Sequence, residues 1–508
     1  MIIQWSLCQE KKNMFCFIIN HAVYLHPEKI RIIEKRKEDK YIVRAKYGKG
    51  KIYKTTLIAK LLCLIANKYA LLDPEGIGIE MEADRPNWCD ALNGLPGLFG
   101  SSTCETLELK RLIKLILRWF DQLKIDDNKK IKIAKEVYDL LRGLEKITKL
   151  YYNNNFKLWD ERHNLIEEYR EKTIFGISGE EKDISIIEIK EILNLFLQKI
   201  EEGINKAIDK KTGIIFSYFI NEVVKYKILK DDKGNVKKNY KGYTCIFPLK
   251  FACRPLPYFL EGTVHYLRVI EDKEQAKKIH SEILNSELYD KKLKMLKINA
   301  PLKNISLDVG RITVFPRGWL ENESIWMHME YKYLLELLRN GLVKEFWKMS
   351  KDVLVPFMDP QVYGRSIFEN SSFIVSSAHS EENLHGQGYV GRLSGTTAEF
   401  ISIWLGITCG FKPFYVEDNK LFLKFSPQIP SWLFSEDGIF EFKFLGNTKV
   451  VYLNKLRKDT FGKNAAKIYK IVLIYNNRKV EIKGELIPPE YSYDVRDGKV
   501  KEIICELE

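Results

Sequence analysis

Residues 80–102 read EMEADRPNWCDALNGLPGLFGSS. The stretch holds four carboxylates, two asparagines, three glycines and one indole, a mixture that buries poorly in an apolar core. Apolar residues repeat at helical spacing before it, over residues 55–71, and again after it, where Ser102 and Glu105 have the spacing of a capping box. The pattern therefore predicts a polar loop between two helices, which is a common place for catalytic acids.

Trp88 and Asp90 give this loop its chemical interest. Asp90 follows Trp88 by two residues and precedes a turn rich in glycine and asparagine. An indole beside a carboxyl group favours the protonated acid, which suits general acid catalysis, and aromatic faces stack on sugar rings. A second interpretation stays open, in which Trp88 belongs to the core and Asp90 caps the next turn.

Length and charge bound the class of protein. The chain has 508 residues, enough for two or more domains, and no apolar run reaches the length of a membrane span. The net charge of +14 raises the question of nucleic acid binding. The lysines, however, are spread over helix faces and turns and interleave with acids, without a zinc-finger or RNA-recognition pattern. We expect neither a nucleic acid nor a membrane partner.

Cysteine usage indicates a reducing compartment. The nine cysteines are scattered, odd in number and contain no C-x-x-C pair, which argues against a disulfide framework and against a structural zinc site. The N-terminus lacks a basic segment followed by a small-residue cleavage site, so no signal peptide is expected. We therefore expect a cytoplasmic protein that requires no metal.

The apolar pattern changes once along the chain. Up to about Gly410 it is dominantly helical and predicts paired helices around a pocket built by loops. After Gly410 the period becomes two, which predicts antiparallel strands of a β-sandwich. The predicted domains are an unclear lead-in over 1–54, a catalytic helical domain over 55–411 and a β-sandwich over 412–508. The predicted helices cover residues 55–71, 105–123, 128–150, 160–172, 184–208, 214–228, 257–270, 272–287, 326–340, 341–350 and 396–409.

A second loop runs into a helix at residues 316–328, which read PRGWLENESIWMH. His328 falls in or near the first helical turn, where free N–H groups and the helix dipole attract anions. The imidazole and the helix end together are suited to holding a phosphate. A histidine satisfied within the core is the alternative.

A third loop region carries Arg365 and Glu369 and continues to Ser394-Gly395-Thr396-Thr-Ala-Glu399, directly before an apolar helix. Hydroxyls and a glycine backbone at a helix start are suited to seating an oxyanion or a phosphate. An ordinary N-cap formed by Ser394 or Thr396 is the alternative.

Taken in order, the three loops resemble glycoside phosphorylases of the cellobiose phosphorylase type, glycoside hydrolase family 94. That family carries a Trp-Asn-Asp acid motif, a helix-opening Glu-Asn-Gly-x-Ile-Phe-x-His segment and a Thr-Gly-Thr-Ala-Ala-Trp turn. The matching residues here are Trp88-Cys-Asp90, then residues 321–328 reading ENESIWMH, then residues 394–399 reading SGTTAE. Asn87 replaces the first carboxylate of the family's acid motif, and Glu399 stands where an aromatic residue is usual.

The resemblance implies a fold and an activity. The fold would be mainly α, an (α/α)6-type helical barrel, here incomplete at its N-terminus, followed by a C-terminal antiparallel β-sandwich. The chain then resembles the C-terminal portion of a longer enzyme. The activity would be inverting phosphorolysis of a β-linked glucoside to a sugar 1-phosphate, with an oligosaccharide or disaccharide as substrate, inorganic phosphate as co-substrate and no other cofactor.

The resemblance also distributes roles. Asp90 would be the general acid, and phosphate would be held by His328, Ser394, Gly395 and Thr396. Further substrate contacts are expected from residues in the same three regions, namely Glu80, Glu82, Trp88, Trp319, Trp326, Arg365 and Glu399.

Two other hypotheses stay open. In an inverting glycoside hydrolase on the same barrel, Glu399 or Glu369 would be the base that activates water. In a hypothesis of a different class, the chain is an inactive fragment or a carbohydrate-binding subunit. Its partner would then be a missing N-terminal half on another polypeptide, and a homo-oligomer is the other assembly to consider.

Overall fold

The computed structural model of the chain describes residues 16–19, 22–82, 87–239, 242–391 and 395–508. It forms two compact units. The first unit comprises residues 1–269 and 299–316, and the second comprises residues 270–298 and 317–508. The division therefore runs within the segment 55–411, which the sequence pattern predicts as one helical domain.

The first unit is built from helices with several short strands and one long hairpin. Its elements are β1 Cys16–Ile19, β2 Ala22–Leu25, α1 Pro27–Glu34, α2 Leu57–Ala70, β3 Ile79–Glu80, β4 Ser101–Ser102, α3 Thr103–Gln122, β5 Lys130–Ala134, α4 Lys135–Leu150, α5 Asn155–Thr173, β6 Glu181–Ser185, α6 Ile186–Ala207, β7 Tyr218–Ile228, β8 Ile246–Pro255 and α7 Leu260–Leu267. The segment 1–54, unclear from sequence, thus contains an antiparallel strand pair and a helix within its described part.

The helices of this unit pack in pairs. Helix α3 packs against α6 and α7, and α4 packs against α2, α5 and α6. Buried apolar stripes explain these contacts, because α6 buries ten residues of one face behind a capping box formed by Ser185 and Glu188. Packed helix pairs are the repeating element of an α/α barrel, and the closed six-pair barrel remains a prediction.

Two predicted helices in this unit differ from the structure. The predicted helix over residues 214–228 is wrong, because β7 runs through it and pairs along its length with β8. The stretch is rich in β-branched and aromatic residues, and hairpin pairing decides its structure over the apolar spacing. In the predicted helix 128–150, the first residues form β5, which pairs with β6, and the helix begins at Lys135.

The capping box predicted at Ser102 is also wrong. Ser102 is the N-cap residue of α3, but its side chain makes no capping hydrogen bond. Ser102 belongs to β4 and pairs with Tyr218 of β7, and the Thr103 N–H donates to the Ser217 carbonyl. The Ser217 carbonyl therefore accepts from the first N–H of the helix start, where a capping side chain was expected.

The second unit contains the remaining helices and the C-terminal strands. Its elements are α8 Lys273–Asn285, β9 Tyr289–Asp290, β10 Met295–Leu296, β11 Ile325–Trp326, α9 Met327–Arg339, α10 Val343–Val353, α11 Pro360–Tyr363, β12 Ser371–Ile374, β13 Gly388–Gly391, α12 Gly395–Thr408, β14 Phe414–Glu417, β15 Lys420–Lys424, β16 Ile439–Phe444, β17 Thr448–Leu453, β18 Ile468–Ile474, β19 Lys479–Lys483, β20 Leu486–Ile487, α13 Pro489–Arg496 and β21 Glu502–Leu507.

The strands predicted after Gly410 are confirmed. They form a three-stranded sheet with the order β14-β15-β20 and a five-stranded sheet with the order β16-β17-β21-β18-β19. Both sheets contribute side chains to one buried core, for example Leu423, Tyr452 and Ile503. The larger sheet is mixed rather than antiparallel, because β21 follows helix α13 and runs parallel to β17. The β-sandwich itself remains a prediction.

Each of the remaining stretches predicted to be helical contains a helix, with ends shifted by a few residues. Among the described residues, no helix combines the length and the apolar content that a bilayer crossing requires.

Candidate active site

The stretch 80–102 is a loop whose two ends pair with each other. Ile79 and Glu80 of β3 pair with Ser102 and Ser101 of β4, and the Met81 N–H donates to the Gly100 carbonyl. Between these ends the described part contains two short 3-10 turns, Asp90–Leu92 and Leu95–Leu98. Residues 83–86, and with them Asp84, lie outside the described residues.

Apolar side chains of this loop pack into a buried cluster. Its buried members are Met81, Cys89, Ala91, Leu92, Leu95, Tyr218, Leu256, Phe259, Val309 and Ile312. Trp88 is half-buried and packs against the same cluster, which agrees in part with its interpretation as a core residue. The loop alternates buried side chains with exposed ones, so its polar groups are presented from a packed base.

Asp90 stands at the exposed side of this arrangement. Its side chain is 51% exposed, and its Oδ1 lies 2.8 Å from Nη2 of Arg311. Asp90 begins a 3-10 turn whose cap residue is Cys89 and which has no side-chain capping bond, so Asp90 does not cap that turn. The carboxylate is therefore held by a cation and remains accessible.

The segment 306–314 packs against the loop 80–102, which we call the acid loop. The Gly94 N–H donates to the Val309 carbonyl, and the Arg311 N–H donates to Oδ1 of Asn93 at 3.0 Å. Gly310 has φ +132°, and a Cβ there would lie 2.5 Å from the Ala91 carbonyl oxygen. The close approach of the two loops thus requires glycine.

Glu80 and Glu82 form ion pairs with helix α5. Glu80 accepts hydrogen bonds from Trp159 Nε1 at 2.6 Å and from His163 Nε2 at 2.8 Å, and Glu82 pairs with Arg170. Nε2 of His163 contacts the Glu80 carboxylate, and Nδ1 contacts the Trp159 carbonyl. Neither oxygen has a proton to donate, so both ring nitrogens are the donors. Burial lowers the pKa of His163, but the charge and hydrogen bond of Glu80 outweigh this and raise it.

In the second unit, the structure brings together His328, Gly395 and Glu399. His328 is the second residue of α9, and Gly395 is the first residue of α12. A Cβ on Gly395 would lie 2.6 Å from the imidazole, so the ring packs directly on the helix start. The Nε2 of His328 lies 3.7 Å from Oε1 of Glu399, and both side chains are about one-fifth exposed.

Thr396, another predicted phosphate ligand, is the second residue of α12. Thr396 is buried, and its hydroxyl lies 3.5 Å from the Ser371 carbonyl. Ser394 lies outside the described residues.

Trp319 and Trp326 meet in one aromatic group of the second unit. Both rings contact Phe373, and Trp319 also contacts His379 and Tyr389, with ring centroids 4.7 Å apart for Tyr389. Trp326 donates its indole N–H to the Leu320 carbonyl at 2.8 Å. Trp319 and Trp326 are partly exposed and offer aromatic surface.

Arg365 and Glu369 are bound to each other. Arg365 donates to Oε1 of Glu369 at 2.7 Å and to the Gly388 carbonyl at 2.7 Å. Two of the guanidinium donors are thus used within the protein, and the Glu369 carboxylate is held by a cation.

Sequence reasoning missed the partners of these predicted residues. Arg311, His163, Trp159 and Arg170 lie far along the chain from the loop that they contact, and no motif marks them. It also missed a cluster of Cys104, Glu261 and His265, whose ligand atoms lie within 4.8 Å of one another. The i, i+4 spacing of Glu261 and His265 was the available signal.

No family model and no curated protein matches the chain. Among solved structures, the GH63 mannosylglycerate hydrolase from Thermus thermophilus in complex with glucose is similar over 74% of this chain and 98% of that chain, with a TM-score of 0.25 and 12% identity. Its complex with Tris gives a TM-score of 0.25 and 11% identity over 74% and 99% of the two chains. An uncharacterized conserved protein from Thermus thermophilus is similar over 74% of this chain and 98% of that chain, with a TM-score of 0.26 and 9% identity. At such TM-scores, these structures define neither the fold nor the activity of this chain.

Proposed function

We propose that this chain is a carbohydrate-active enzyme that cleaves a glycosidic bond with inversion, with Asp90 as its general acid. The observation that carries the proposal is the exposed Asp90 carboxylate, oriented by Arg311 on a loop with a packed base. As general acid, Asp90 would act in its protonated form close to the leaving oxygen, and Arg311 would stabilise the carboxylate that remains after proton transfer. Trp88 supplies an apolar surface two residues away.

The nucleophile we propose is a water molecule activated by Glu399. Of the two predicted bases, Glu369 is bound to Arg365, whereas Glu399 lies beside the imidazole of His328. A carboxylate next to an imidazole is suited to accepting a proton from water as the water attacks. The reaction is then hydrolysis, and it releases free sugar.

Phosphorolysis is the second candidate. The imidazole of His328 and the starts of two helices, α9 and α12, are features that attract a phosphate dianion, with His328, Gly395 and Thr396 as its ligands, together with Ser394. The carboxylate of Glu399 opposes a dianion at the same place, because like charges repel strongly where solvent is partly excluded. This charge is the reason for ranking hydrolysis first.

The two reactions differ in their products. A panel of β-linked glucosides would be incubated with the purified chain with and without inorganic phosphate, and free sugar and sugar 1-phosphate would be quantified. Hydrolysis predicts free sugar regardless of phosphate, whereas sugar 1-phosphate formed only with phosphate would establish the second candidate. Proton NMR of the first product would report inversion.

Matched variants test the residues. Asp90→Asn is expected to reduce turnover at least about a hundredfold, and Asp308→Asn on the facing loop should leave it unchanged. Glu399→Gln is expected to abolish free-sugar release, while Glu369→Gln retains it. Turnover that survives in Asp90→Asn would overturn the proposal, and sugar binding without any turnover would favour a binding subunit.

A further inference from the structure

Two packed helices of the first unit each carry a pair of polar side chains four residues apart. Cys104 and Glu108 lie on α3, and Glu261 and His265 lie on α7. Side chains at i and i+4 share one face of a helix, and α3 and α7 pack against each other. The four groups therefore form one cluster, as metal sites between paired helices do.

The ligand atoms of this cluster are close together. One ligand atom each of Cys104, Glu261 and His265 lies within 4.8 Å of the other two. Tetrahedral zinc, with bonds of roughly 2.0–2.3 Å, holds its ligand atoms roughly 3.5 Å apart. Zinc binding would therefore draw these atoms closer together. Cys104 and Glu261 are buried and His265 is largely buried, so the cluster lies inside the unit.

A surrounding layer of hydrogen bonds orients these side chains. Nδ1 of His265 lies 2.8 Å from Oε1 of Glu108, and Arg268 contacts the same oxygen at 3.2 Å. The carboxylate can only accept, so Nδ1 carries a proton, and Nε2 is the ring nitrogen left for a metal ion. Tyr218 donates to Oε2 of Glu261. A carboxylate behind a histidine is the usual arrangement around protein-bound zinc.

We propose that Cys104, Glu261 and His265 bind a zinc ion, with water as the fourth ligand. A thiolate, a carboxylate and a neutral imidazole carry a total charge that balances the charge of Zn²⁺, which suits a buried site. The thiol releases its proton to solvent as the Zn–S bond forms. The thiolate favours zinc over magnesium or calcium.

The zinc ion in this proposal links two helices of the first unit. It joins α3 to α7, and Tyr218 connects its Glu261 ligand to the cluster that supports the Asp90 loop. The inference stands apart from the proposed glycosidic reaction and contradicts the expectation from sequence that no metal is needed.

Metal analysis and cobalt spectroscopy test the site. The full chain would be stripped with a chelator and refilled with zinc, and about one equivalent per chain is expected to remain after gel filtration. Cobalt in the stripped chain should give the visible bands of a tetrahedral site and a near-ultraviolet thiolate-to-cobalt band. Zinc is also expected to raise the melting temperature.

Variants separate the ligands from the surroundings. Cys104→Ser should lose the thiolate band, and Glu108→Gln should weaken zinc binding about ten- to a hundredfold while keeping the band. Cys63→Ser and His163→Gln, outside the cluster, serve as controls and should bind like the parent chain. If Cys104→Ser does not fold, the band in the parent chain decides. Zinc below about a tenth of an equivalent, or an undiminished band in folded Cys104→Ser, would overturn the proposal.

Discussion

At the scale of single residues, the contact between Asp90 and Arg311 is the one on which the candidate chemistry depends most. Both side chains are about half exposed, so their ion pair contributes little to stability. Its effect is to fix the direction of a carboxylate that stays open to solvent. A contact of this kind influences turnover more than folding.

Replacing Arg311 by alanine tests this role. We expect kcat to fall roughly ten- to a hundredfold with little change in KM, because the acid loses its orientation while the substrate surface remains. The free energy of unfolding should change by less than about 1 kcal/mol. Arg254→Ala removes a similar exposed ion pair, with Glu222, and should leave kcat unchanged. Equal effects of the two variants would contradict the assignment.

Glu330 is a second residue with a measurable consequence. It is fully buried in α9 and accepts hydrogen bonds from the Leu296 N–H, and burial raises its pKa to about 8. At pH 7 the folded chain must therefore take up a proton that the unfolded chain releases, at a cost of about 3 kcal/mol.

Glu330→Gln keeps the acceptor and removes that cost, so it should stabilise the chain at pH 7 by an amount of this order. Urea unfolding monitored by circular dichroism measures the gain. Glu336→Gln is the matched control on the same helix, because Glu336 is buried but paired with Arg339, and this change should not stabilise. A loss of stability in Glu330→Gln would show that the carboxyl group is needed.

The sequence indicated Asp90 as a polar residue on a loop, and the structure places it on that loop with its side chain about half exposed. It did not indicate Arg311, because that cation lies in a different segment and nothing in its neighbours marks it. Pairing between distant loops depends on the fold, and local patterns do not carry this information. The same reason applies to Cys104, which lacks the second cysteine of a recognisable zinc motif.

At the scale of elements, the acid loop is fixed by backbone contacts that only glycine permits. A Cβ on Gly94 would lie 1.8 Å from the Asp308 carbonyl oxygen, and Gly310 has both a positive φ and a close contact. The two loops are therefore packed backbone against backbone.

Gly310→Ala is expected to separate the two loops. Turnover should fall, and the free energy of unfolding should decrease by about 1–3 kcal/mol. Gly143→Ala is the control, because it lies inside helix α4, where alanine is favourable and the nearest atoms belong to the flexible side chain of Leu165. Normal turnover in Gly310→Ala would show that the contact between segment 306–314 and the acid loop does not position Asp90.

Helix α9 and strand β7 show where element prediction succeeds and fails. In α9 the apolar period continues over the whole element and most of its residues are buried, so the pattern reports the packing directly. In β7 most residues after Asn221 are exposed, and the strand is defined by its hydrogen bonds to β8. Apolar spacing carries no information about a strand held mainly by its neighbour.

At the scale of the whole molecule, two buried groups of the second unit give stability a defined pH dependence. Burial lowers the pKa of His280 to about 4, and it raises the pKa of Glu330 to about 8. For His280, the unfolded chain binds the extra proton, so stability is lost as pH falls from about 6.5 to about 4. For Glu330, the folded chain binds it, so stability is lost as pH rises from about 4.5 to about 8.

Between about pH 4.5 and 6.5, the His280 contribution to the free energy of unfolding increases with pH and the Glu330 contribution decreases. Each changes by about 1.4 kcal/mol per pH unit. In His280→Gln, stability relative to the parent chain should therefore rise as the pH falls below about 6.5. In Glu330→Gln, it should rise as the pH increases above about 4.5. Urea unfolding from about pH 4 to pH 8 measures both differences, and a difference independent of pH would contradict the corresponding assignment.

The position of β21 has a consequence for how the larger sheet folds. It is the middle strand of the larger sheet, yet it is the last of the five in sequence. Until residues 502–507 insert between them, the hairpins β16–β17 and β18–β19 each have one edge without its partner strand. Isolated hairpins are marginally stable, and open edges recruit other chains. Slow insertion of β21 during folding would therefore leave the chain open to aggregation.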